Sequence, residues 1–95
     1  MPKNLWNEAE AAKIFAKAAR RGSPIAQNRL AKILAAGRGL PANAVEATKW
    51  HIISKAGGIT DLSLDDFVRK LKAEERTAGE QAAKPWLATT ASARP

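Results

Sequence analysis

Read for its apolar and polar positions, the chain divides into five stretches of helical periodicity separated by glycine, proline and short polar turns. In the first, Ala11, Ile14, Phe15, Ala18 and Ala19 recur at the three- and four-residue spacing of one helix face. Asn7 stands before it as an N-cap, and Glu10, three residues on, can reach back to the cap amide. Gly22 stops it, with Arg20 and Arg21 in the last turn, where cations suit the helix dipole. Ser23-Pro24 opens a second helix, proline being tolerated in a first turn, and its inward stripe is Ala26, Leu30, Ile33 and Leu34. Gly37 follows where a helix end calls for positive φ, Leu40 can fold back onto that end, and Pro41 blocks continuation. Asn43 caps a third helix, with Glu46 at the same three-residue offset. Ala47, Trp50 and Ile53 or Ser54 face inward before Gly57-Gly58. Ser63 and Asp66 read as a capping box for a fourth, carrying Leu64, Phe67, Val68 and Leu71. A fifth runs from Ala73 to about Lys84, with Ala78, Ala82 and Ala83 inside, and Pro85 ends it. No strand is visible, so the predicted class is all-α with about five helices.

The first and third helices match at a fixed offset of 36 residues: Asn7 with Asn43, Glu10 with Glu46, Ala11 with Ala47, Lys13 with Lys49, Gly22 with Gly58. Caps, small residues and stops return together, and a period in this range signals a solenoid of antiparallel helix pairs. The expected organisation is a repeat region over 1–58, about one and a third units, then capping helices over 59–87 and a disordered tail over 88–95.

The stretch from Glu10 to Gly58 resembles the Sel-one-like repeat family, relatives of tetratricopeptide repeats. Ala18, Ala19 and Gly22 fill the first part of that pattern, Ala26, Leu30 and Gly37 the second, and Gly39, Leu40, Asn43, Ala47 and Trp50 the third. Ala31, Leu34 and Ile14 depart from it, standing where the family has glycine, tyrosine and tryptophan, and Ser54-Lys55 replaces the second alanine pair. After Gly58 the pattern dissolves, as at the terminal repeat of an array. The resemblance implies a short right-handed α-solenoid acting as an adaptor that holds proteins together.

The 95 residues make one small domain, rich in alanine and without cysteine, which excludes disulfides and thiolate metal sites. Its net charge of +7 is unevenly placed. Residues 11–58 hold nine Lys or Arg against Glu46 alone, whereas 59–95 hold six of each sign. Lys13, Lys17 and Arg20 form a stripe on the first helix. Arg29 and Lys32 lie on the second, which in such solenoids lines the concave groove. These five are the candidate partner-binding residues, and the expected ligand is an acidic protein segment.

Other chemistry finds little support. The Gly37-Arg38-Gly39 turn follows a helix rather than a strand, which suits a helix stop and not a phosphate loop. Trp50 reads as core, and Trp6 and Trp86 either as covers for the terminal faces or as marks of a contact with a missing neighbour. His51, the single histidine, reads as a half-buried packing residue without the companions a metal or general base needs. Asp61, Asp65 and Asp66 lack calcium-loop spacing. The sequence therefore predicts no enzyme and no cofactor. It predicts a protein partner and no membrane association, with nucleic-acid binding by a small basic helical protein as the alternative. The apolar face of the first helix ordinarily packs on a preceding one, so the chain is expected to be the end of a longer array or to pair there with a second copy. No h-region or bilayer-length apolar run occurs, so the chain taken as given reads as cytoplasmic.

Overall fold

A computed structural model describes residues 7–93, and the side chains of 7–89; Trp6 and the last two residues lie outside that range. Five helices follow in order: α1 Glu8–Arg20, α2 Pro24–Ala36, α3 Ala44–Ala56, α4 Leu62–Arg69 and α5 Ala73–Ala93. The protein is all-α, and the described residues contain no strand.

Local sequence sets the ends of α1 and α3 identically. Asn7 Oδ1 accepts the Glu10 amide at 2.8 Å and Asn43 Oδ1 accepts the Glu46 amide at 3.0 Å. At the far ends, Gly22 N donates to Ala19 O and Gly58 N to Lys55 O, both at 3.0 Å. Ser23 N donates to Ala18 O at 3.2 Å, and Ile59 N to Ser54 O at 3.0 Å. Gly22 and Gly58 take φ of 101° and 102°, a region where a Cβ is strained and glycine is not. The 36-residue offset is thus repeated bond for bond. α2 begins at Ser23, whose hydroxyl accepts the Ala26 amide at 3.2 Å, and ends at Gly37 in the left-handed conformation.

Packing centres on α3. It lies against α2 on one side and α5 on another, with the short α4 touching both α3 and α2, while α1 packs on α2. The core joins Ala26, Leu30, Ala31 and Leu34 of α2 to Ala47, Trp50 and Ile53 of α3, closed by Leu64 and Ala83. Trp50 is buried, and its ring meets Trp86 of α5 edge-on at 5.1 Å between centroids, a favoured aromatic geometry. Gly79 lets α5 approach: a Cβ there would lie 2.5 Å from the Cβ of Thr48. The 36-residue spacing also continues past Gly58. Ala47 and Trp50 recur as Ala83 and Trp86 at the same offset of 36, so the second half of α5 carries a third set of core positions.

Five expectations need correction. Ala78 of α5, expected inside, is exposed, although Ala83 is buried. α5 does not stop at Pro85 but continues to Ala93, so most of the tail expected at 88–95 is helical. The helix survives because Ala83 before the proline and Trp86 and Leu87 after it are anchored to the core, and tertiary packing outweighs the lost bond. α4 is capped by Asp61, whose Oδ1 accepts the Leu64 amide at 3.0 Å, not by Ser63. The inward face of α1 holds in part: Ala19 is buried and Phe15 and Ala18 pack against the core as expected, but Ala12 is fully buried and Ala16 packs too, whereas Ile14 is 56% exposed. Alanine on every side of α1 left its periodicity ambiguous. His51 is buried rather than half-buried, at 3% exposure.

Candidate functional site

The turn at Gly37-Arg38-Gly39 is a joint between helices. Gly37 N and Arg38 N both donate to Ile33 O, closing α2. Gly39 sits so near α1 that a Cβ would come within 2.4 Å of Glu8 O. Arg38 is committed to Glu8, with Nη2 and Nε at 2.6 and 2.9 Å from Oε2.

The acidic residues after Gly58 fasten α4. Asp61 Oδ2 accepts from Asn28 Nδ2 at 2.9 Å and lies 3.3 Å from Lys32 Nζ, tying α4 to α2. Burial raises the pKa of Asp61, but the hydrogen bonds from Asn28, the Leu64 amide and Lys32 together outweigh it and leave the carboxyl below its usual range. Asp65 Oδ1 accepts from His51 Nε2 at 2.7 Å and from Lys55 Nζ at 3.1 Å, tying α4 to α3. Those two bonds, His51 first, hold its pKa down. His51 Nδ1 is buried without a partner among the described residues. Asp66 is held low by Lys70 and then Arg69, both ion-paired to it. The sequence hid the Asp61 and Asp65 contacts because both join residues on different helices.

Against this background the five candidate cations separate. Lys32 is bound to Asp61, and Lys13 pairs loosely with Glu10 at 3.7 Å. Lys49 pairs with Glu46 at 3.2 Å and lies over the Trp50 ring. Lys17, Arg20 and Arg29 are exposed and, among the described residues, have no acidic partner within ion-pair distance, and the same is true of Arg21. Three of these four unpaired cations lie in the last two turns of α1 or at its C-cap. Sequence counting found the basic excess but could not say which charges were already neutralised.

Apolar surface lies beside them. Ile14 and Ala18, with Lys17 and Arg21, line an open depression of about 340 Å³. A second hollow, about 350 Å³, lies between α1 and α2, with Ala11, Phe15, Ile33 and Ala36 as its floor and Lys32 and Arg38 at its rim. Among the described residues no helix is long and apolar enough to cross a membrane, and no group of His, Cys, Asp and Glu is placed to hold a metal. Comparison with protein families, with curated proteins and with solved structures finds no match to this chain.

Proposed function

We propose that this chain is a protein-interaction module of the Sel-one-like, solenoid type, and that it takes an acidic protein segment rather than converting a substrate. The observation that carries the reading is the group of uncompensated cations, Lys17, Arg20, Arg21 and Arg29, in a front half with one carboxylate among residues 11–58. Elsewhere in that half the cations are matched to Glu8, Glu10, Glu46, Asp61 or Asp65. A charge left unpaired raises the local potential and draws an opposite surface, which governs partner choice and association rate. The 36-residue recurrence of caps, turns and core positions supports the repeat assignment.

Nucleic acid is the rival ligand, because a basic helical surface can also bind phosphates. Titration of a glutamate-rich peptide and of generic duplex and single-stranded DNA, each at two salt concentrations, separates the two. The proposed function requires saturable binding of the peptide and weaker binding of DNA. Tight, steeply salt-dependent association with DNA of any sequence, with none to the peptide, would replace it with the rival.

A further inference from the structure

Resting on that reading, we infer that the docking face is the apolar band Ala11–Ile14–Phe15–Ala18 on α1, flanked by Lys17 and Arg21. Its occupant is an acidic helical segment of another protein that presents one aromatic side chain.

The equivalent band on α3 is the internal template. Adding 36 to each position gives Ala47, Trp50, His51 and Ser54, with exposures of 0%, 4%, 3% and 0%. Those four are covered by other elements of the same chain, with Trp86 of α5 meeting Trp50 and Asp65 of α4 meeting His51. On α1 the same positions stay open: Ile14 is 56% exposed, and Ala11, Phe15 and Ala18 are only partly covered. The template therefore supplies the aromatic, since Trp86 covers Trp50. Phe15 in the place of His51 calls for no carboxylate, and the acidic character of the occupant follows from Lys17 and Arg21 instead.

The flanks choose among occupants. Lys17 and Arg21 stand in the positions of Ile53 and Gly57, converting a seam that is apolar on α3 into one edged by unpaired cations on α1. The patch itself carries no carboxylate, so a second copy presenting the same patch would bring Lys17 and Arg21 no acid from it. A nucleic-acid backbone would meet the cations but leave Ile14 and Ala18 between them unfilled. An acidic helix satisfies both, its aromatic filling the depression beside Ile14 and its carboxylates reaching Lys17 and Arg21.

The test uses a designed helical peptide with one tryptophan and glutamates three and four residues to either side, titrated into the ¹⁵N-labelled chain. Versions with Glu→Gln, or with Trp→Ala, serve as controls. The inference expects the largest amide shifts at Ile14, Phe15, Lys17, Ala18 and Arg21. It also expects affinity to fall roughly tenfold or more with the Glu→Gln peptide and with Ile14→Asp or Lys17→Glu/Arg21→Glu, all at exposed sites. Lys72→Glu, at an exposed site between α4 and α5 and outside the group Lys17, Arg20, Arg21 and Arg29, should leave it within about twofold. Binding whose shifts centre on Arg29 and α2 overturns the assignment of the face while leaving the acidic-partner reading intact. Failure of every peptide, with DNA shifting α1 instead, overturns both. A doubled mass of the free chain that Ile14→Asp abolishes makes a second copy the occupant and overturns the acidic partner.

Discussion

α1 and α3 are the same length, begin with the same asparagine cap, end in the same pair of turn hydrogen bonds, and lie 36 residues apart. Yet α3 buries Ala47, Thr48, Trp50, His51, Ile53 and Ser54, while α1 buries only Ala12 and Ala19. The difference is neighbours: α2, α4 and α5 surround α3, and α1 rests on α2. Capping and turn chemistry decide where a helix starts and stops, whereas the face it hides depends on what is available to cover it. α1 has the ends of a core helix but leaves open the face that α3 buries.

The comparison breaks most severely at its central pair. Trp50→Ala empties a site at 4% exposure and should lose about 3–5 kcal/mol in urea unfolding. Ile14→Ala, at the same repeat position but 56% exposed, should stay within about 0.5 kcal/mol. Next comes the α3–α5 seam. Gly79→Val would drive atoms into Thr48, whose Cβ already lies 2.5 Å from where a Cβ at 79 would stand, with Val45 O at 3.0 Å. The backbone must move, and a loss of about 1–3 kcal/mol is expected, with the near-ultraviolet signal of the Trp50–Trp86 pair altered. Smaller again are the caps. Asn43→Ala and Asn7→Ala each remove one side-chain bond to an amide and should lower stability by about 1 kcal/mol. The Asn7 change should increase local exchange in α1, and the Asn43 change should weaken the whole fold.

The mildest test addresses α4, which α3 has and α1 lacks. Asp61 and Asp65 have folded-state pKa values below the ordinary 3.8, so the unfolded chain takes up their protons first. Their contribution is present above that ordinary value and is lost as pH falls through the lower folded values. Unfolding free energy should be level towards neutral pH and decline on acidification below about pH 4. Asp61→Asn and Asp65→Asn should each flatten that decline, and a profile unchanged by both would remove the carboxylates' role as fasteners of α4.

What the sequence made legible was mostly local. The asparagine caps, Gly37, Gly22 with Gly58, and the buried Trp50 all follow from neighbours within a turn or two, and each stands as expected. Contacts spanning helices were invisible. Asp61 was legible as an acid near a helix start but not as the clasp on Asn28 and Lys32, and Asp65 gave no hint of His51. Pro85 misled for the opposite reason: its local rule is strong, and the anchoring of Trp86 that overrides it is tertiary. The return of Ala47 and Trp50 as Ala83 and Trp86 is not local either, since it shows only when the spacing is carried past Gly58. For the candidate site, counting charges located the basic half, but only the pairing of Lys32 with Asp61 and Arg38 with Glu8 showed that the free cations gather on α1.

Native-state amide hydrogen exchange tests the contrast between the two helices most directly, measured on the free chain and again with the acidic tryptophan peptide present. In the free chain, α3 should exchange only through global unfolding and α1 through a cheaper local opening; with the peptide, protection should rise in α1 and barely change in α3 beyond the global gain. Equal protection of α1 and α3 in the free chain, unchanged by the peptide, would contradict the account.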